Sequence, residues 1–75
     1  MKIAVTSPSF SKNKILQKEI FRYFPDAKLN IDGFRFNQTE LIEYIKNAEA
    51  IIVGLDVIDT YVLDRSPNLK MIAKY

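Results

Sequence analysis

Ala50-Ile51-Ile52-Val53-Gly54 is the stretch that decides the fold. Four consecutive apolar residues stop at a glycine, with no alternation of polar and apolar side chains. A strand exposed on one face alternates; one covered on both faces does not, so the run reads as a buried strand of a parallel sheet with a helix packed on either side. Working outward, Lys2 to Thr6 is a second short β-branched run, ended by Ser7-Pro8-Ser9, and Leu69 to Tyr75 is a third. Lys28-Leu29-Asn30-Ile31-Asp32 alternates as a half-exposed strand does, and Gly33 closes it.

Between these runs the spacing turns helical. With Ser11 as N-cap, Lys12 to Phe24 places Leu16, Ile20, Tyr23 and Phe24 on one face before Pro25-Asp26 ends the segment. Gln38 to Asn47 repeats the pattern with Leu41, Ile42, Ile45 and Ala48, capped by Asn37 or Thr39. Asp59 caps a short helix through Asp64, and Ser66-Pro67-Asn68 turns the chain into its last strand. The predicted order is βαβαβαβ: an α/β, flavodoxin-like three-layer fold with a parallel sheet of order 2-1-3-4, truncated after the fourth strand. Lys28, Asn30 and Asp32 would blunt one edge, whereas Met71-Ile72-Ala73 is an unprotected apolar edge expected to pair with a neighbour, a second copy included.

Composition removes several classes of function. The chain has 75 residues, of which 48% are hydrophobic, which excludes disorder but allows only one small domain. It contains neither Cys nor His, so thiol chemistry, histidine acid-base chemistry and disulfide stapling are all excluded. Eleven basic and nine acidic residues are scattered along the chain with a net charge of +2, so there is no basic stripe for nucleic acid. No apolar run approaches membrane-spanning length and no leader-like segment opens the sequence, so the expectation is a cytoplasmic protein.

Ligands of parallel α/β sheets bind outside the carboxyl ends of the strands, which directs attention to two loops. Thr6-Ser7-Pro8-Ser9-Phe10-Ser11 offers hydroxyls to an anion, though Ser and Pro also suit an ordinary loop before a helix, the reading favoured here. Val53-Gly54-Leu55-Asp56-Val57-Ile58-Asp59 is more informative. Gly54 either lets a ligand reach backbone N–H groups or only relieves a tight turn, and the residues leave both readings open. Asp56 is read as bonding its own loop or the start of the following helix, and Asp59 as a helix cap. Glu40, Glu43 and Glu49 lie on or near a solvated helix face. Gly33 and Gly54 are the only glycines, so no dinucleotide fingerprint exists.

The stretch from Ala50 to Asp56, with Ile58-Asp59, Val62-Leu63 and then Ser66-Pro67-Asn68-Leu69-Lys70-Met71-Ile72-Ala73-Lys74-Tyr75, resembles the D-isomer-specific 2-hydroxyacid dehydrogenases. Within them it is most similar to the phosphoglycerate dehydrogenase branch. The resemblance implies an N-terminal part of a flavodoxin-like substrate-binding domain, in a parent enzyme whose separate Rossmann domain binds NAD and which interconverts a D-2-hydroxyacid and a 2-oxoacid. It implies that Gly54, Leu55 and Asp56 belong to a loop whose backbone holds the substrate carboxylate. Many members carry Arg-Ser where this chain has Gly54 and Leu55, which removes one side-chain contact to a substrate phosphate. The family's catalytic Arg, Glu and His lie in later sequence, so this chain is expected to carry no catalytic residue, to bind no NADH and to turn over no substrate alone. Two other readings stand beside this one. A free-standing module would pair through its last strand. A response-regulator receiver would use Asp56 as phosphoacceptor, but it needs acidic metal ligands where this chain has Thr6-Ser7-Pro8.

Overall fold

The computed structural model describes all residues, Met1–Tyr75. Its elements run β1 (Ile3–Val5), α1 (Pro8–Lys12), α2 (Lys14–Tyr23), α3 (Gln38–Ile45), β2 (Ala50–Val53), α4 (Thr60–Asp64) and β3 (Met71–Lys74). The three strands form one parallel sheet of order β1-β2-β3, with Ala4 opposite Ile51 and Ile51 opposite Ile72. The molecule is therefore an α/β fold with a three-stranded parallel sheet. No helix is long and apolar enough to cross a membrane.

Strand alternation divides the core between the two faces of the sheet. Ala4, Ile51 and Val53 join Leu41 and Ile45 of α3, Ala48 and Val62 of α4 in one buried cluster. Val5 and Ala50 point the other way and are buried outside that cluster, as is Ile20 of α2. Burial of a side chain the size of Ile45 contributes about 1.5–3 kcal/mol. Helix starts are locally encoded. Asn37 and Glu40 form a reciprocal capping box at α3, and the Asp59 carboxylate accepts from the Val62 N–H at the start of α4.

The predicted fourth strand is β3, but the predicted second strand is not a strand. Lys28 makes a single parallel bridge to Ala4, on the side of β1 away from β2, through Lys28 N–H to Ile3 O (2.9 Å) and Val5 N–H to Lys28 O (2.7 Å). The next bond of such a ladder would run from Asn30 N–H to Val5 O. Instead Asn30 N–H donates to Ser11 Oγ at 2.9 Å, and Val5 O accepts from the Tyr44 hydroxyl at 3.1 Å. The ladder stops because two side chains have taken its next donor and acceptor. Asn30, expected to face solvent on a protected edge, is 2% exposed.

The first predicted helix is also corrected. Pro8 at the first turn and Ser7 as N-cap start α1 within the segment read as a loop, and the Ser7 hydroxyl accepts from Phe10 N–H at 3.2 Å. Ser11 is inside α1 and buried, not a cap. Asn13, in an extended conformation, breaks the helix and caps α2 by accepting from the N–H groups of Ile15 and Leu16. Of the predicted apolar face, Ile20 is buried and Leu16 and Phe24 are half-buried, but Tyr23 is exposed with the Arg22 guanidinium 5.8 Å from its ring centre.

Candidate functional site

A cleft of about 840 Å³ opens at the carboxyl ends of all three strands. Its walls come from Thr6 to Ser9 after β1, Gly54 to Val57 after β2, Lys74 and Tyr75 at the end of β3, and the segment Gly33 to Gln38 that leads into α3. The structure thus brings Gly54, Leu55 and Asp56 together with the Thr6-Ser7-Pro8-Ser9 loop in one concavity, where the geometry of a parallel sheet places ligands.

Hydrogen-bonding capacity on the loop after β2 is unspent. No backbone N–H from Gly54 to Ile58 donates to any other group of the chain. Leu55 is 93% exposed and Val57 73%, while Ile58 packs against the core and anchors the end of the loop. Unpartnered amides beside a cleft can donate to an anionic oxygen, here without the αR-αL alternation that makes successive N–H groups converge. The neighbouring loop is already committed: Thr6 N–H donates to Ile52 O at 2.9 Å, and the Ser7 hydroxyl caps α1.

A Cβ at Gly54 would lie 3.2 Å from both Cβ and Oγ of Ser7. The missing side chain lets the β1 and β2 loops pack closely at Ser7, and the unpartnered amides begin at that junction. Asp59 is the cap expected of it, and its carboxylate also accepts from Gln38 Nε2 at 3.1 Å, which joins α3 to α4 beneath the cleft. The Asp56 carboxylate lines the cleft without a hydrogen bond or ion pair from its own loop or from any other residue, contrary to the loop-bonding role read from sequence.

Three cleft features were not legible in the sequence. Arg35 and Phe34 line the cleft, although the segment Phe34-Arg35-Phe36 reads only as an irregular connection. Asn30 ties that segment to the sheet: its Nδ2 donates to Thr6 O and to Phe34 O, and its Oδ1 accepts from Phe34 N–H, each at 2.9 Å. Its proximity to Gly33, whose φ of +75° makes the turn, was the one available signal. Tyr75, expected simply to end the last strand, packs edge-on against Phe10 with ring centres 5.3 Å apart and so closes one side of the cleft.

Electrostatic perturbation lies away from the cleft. Burial pushes the Tyr44 hydroxyl up to about 12, with the Lys28 ammonium 4.2 Å from its ring centre. The Glu49 carboxyl is held below its ordinary range, first by the Lys2 N–H that donates to it at 3.0 Å and then by nearby positive charge, Lys70 included. Glu49 lies at the amino ends of the strands, where its backbone carbonyl also accepts from Lys70 and Met71. It ties the strand ends together just beyond the helix near which the sequence placed it. The chain matches no protein-family model, no curated protein and no solved structure.

Proposed function

We propose that this chain is the substrate-binding segment of an NAD-dependent D-2-hydroxyacid dehydrogenase, with a flavodoxin-like architecture in which Gly54, Leu55 and Asp56 present backbone amides to the carboxylate of a 2-oxoacid or 2-hydroxyacid. The observation that carries this reading is the run of unpartnered N–H groups from Gly54 to Ile58 beside a cleft at the carboxyl ends of parallel strands. Hydride transfer requires the carboxylate fixed and the carbonyl oriented toward the nicotinamide. The chain supplies the first of these tasks; nicotinamide binding and proton transfer belong to other parts of the parent enzyme. The single bridge at Lys28, on the far side of β1, supports a sheet order related to the flavodoxin-like one.

The test is a titration of the chain with sodium pyruvate, followed by amide chemical shifts. Saturable shifts confined to Gly54–Val57 and the facing wall are expected, with no NADH oxidation by the chain alone. Shifts that are unsaturable or scattered over the surface would overturn the reading. Sequencing the transcript beyond the codon for Tyr75 tests the enzyme assignment: a Gly-x-Gly turn and a later Rossmann fingerprint are expected, and a stop codon sinks it.

A second reading has its own observation. Ile72 stands opposite buried Ile51 on the core face, yet is 44% exposed, and Met71 is 58% exposed. Every residue of β3 is exposed and its outer edge is unpaired, which favours a module that pairs through this strand with a second copy. Concentration-dependent dimerisation in sedimentation equilibrium, removed by Ile72→Lys, is the expected result; a monomer at all concentrations rejects it.

A further inference from the structure

Arg35 is fixed at its backbone and free at its side chain. On one flank, the N–H and carbonyl of Phe34 both bond to the Asn30 amide, which is itself anchored to Thr6 O at the end of β1. Asn30 is almost wholly buried, its own N–H is held by Ser11 and its bond to Thr6 O is buried, so the root of this clamp is fixed, while its two bonds to Phe34 are part-buried. On the other flank, the Phe36 ring lies 4.6 Å from the Tyr44 ring, and Asn37 opens α3 with its capping box. Between these anchors Arg35 is exposed and lines the cleft, and its guanidinium makes neither a hydrogen bond nor an ion pair; the only ion pair of the chain joins Lys70 to Glu49. A cation whose backbone is already ordered loses less freedom when it takes an anion than one on a mobile segment. Lys74 also lines the cleft, but it sits on a strand exposed along its whole length.

We propose that Arg35 is a ligand-binding residue that meets the carboxylate of the bound acid from the wall opposite the Gly54–Val57 amides, and that Asn30 is the positioning residue that holds it there. This rests on the cleft being the 2-oxoacid site. It adds a planar, charged donor to a cleft whose lining also holds Lys74 and the carboxylates of Asp56 and Asp59, and its paired N–H donors favour ionised ligands over neutral ones of the same shape.

The experiment titrates the chain with sodium pyruvate and, in parallel, with uncharged pyruvamide, reading the Gly54–Val57 amides and the Arg35 Nε–H signal. Arg35→Gln is expected to weaken pyruvate binding roughly tenfold, as loss of one charge-assisted hydrogen bond does, and to leave pyruvamide binding unchanged. Lys14→Gln, which removes the same charge from exposed α2, should change neither. Asn30→Ala should weaken pyruvate binding, and adding it to Arg35→Gln should cost little more, because the two act through one contact. In the unaltered chain, pyruvate but not pyruvamide should shift Arg35 Nε–H, a readout that does not depend on any variant folding. Equal pyruvate affinity in Arg35→Gln, or equal loss for both ligands, overturns the role of Arg35 while leaving the cleft as the binding site. Failure of both ligands to shift the loop amides of the unaltered chain overturns both proposals.

Discussion

The Tyr44 hydroxyl donates to the carbonyl of Val5 at 3.1 Å and thereby occupies the acceptor that a fourth strand would have used. The contact links α3 to the outer edge of β1 and limits Lys28 to one bridge. The edge is closed by a side chain instead of by a strand, while the opposite edge at β3 stays open.

Tyr44→Phe keeps the ring against Phe36 and beneath Lys28 but leaves Val5 O without its donor. A loss of about 1 kcal/mol at neutral pH is expected in urea denaturation. The hydroxyl is raised by burial from 10.0 to about 12, so the folded state favours the neutral form. Stability linked to it is complete below 10.0 and is lost as pH rises through about 12. Over that interval Tyr44→Phe should lose less stability than the unaltered chain, which paired denaturation curves would measure.

Glu49 gives the opposite dependence at acid pH. Its carboxyl is depressed by the Lys2 N–H bond first, so its contribution is complete above the ordinary value of 4.5 and is lost as pH falls through the lowered one. In Glu49→Gln the denaturation midpoint should fall less steeply below pH 4.5 than in the unaltered chain. Parallel acid profiles for the two proteins would reject the link between this carboxylate and the strand ends.

Gly54→Ala forces a Cβ to 3.2 Å from Ser7, and the neighbour has to yield by tenths of an ångström. We expect a loss of about 1 kcal/mol. Ser7→Gly removes the opposing Cβ and Oγ, at the expense of the Phe10 cap, and should make the second change nearly neutral. Additive losses in thermal unfolding of the double variant would show that the close approach is not what Gly54 serves.

Asn30→Ala removes the bonds to Thr6 and Phe34 from a buried position, and a loss of about 1–3 kcal/mol is expected. Hydrogen exchange at the Phe34 amide should accelerate more than exchange in β2, because that N–H loses its acceptor directly. Asn30→Asp keeps the shape but turns a carboxylate toward two carbonyls, so its deficit should shrink as pH falls and the acid protonates. A deficit independent of pH would contradict the donor role of Nδ2.

The starts of α3 and α4, and the buried strand at Ala50–Val53, follow from the sequence by itself, because caps and hydrophobic period act over a few residues. The Gly54-Leu55-Asp56 loop was also legible, since a glycine after a buried strand marks the carboxyl edge of the sheet. Tertiary structure alone decided the fate of Lys28–Asp32 and the shape of the opposite cleft wall. Alternation in those five residues reads as a strand, but Asn30 N–H goes to Ser11, 19 positions away, and Val5 O goes to Tyr44, 39 positions away. Local propensity cannot settle a competition between donors that meet only when the chain has folded, and that competition turns Asn30 inward and sets Arg35 at the edge of the cleft.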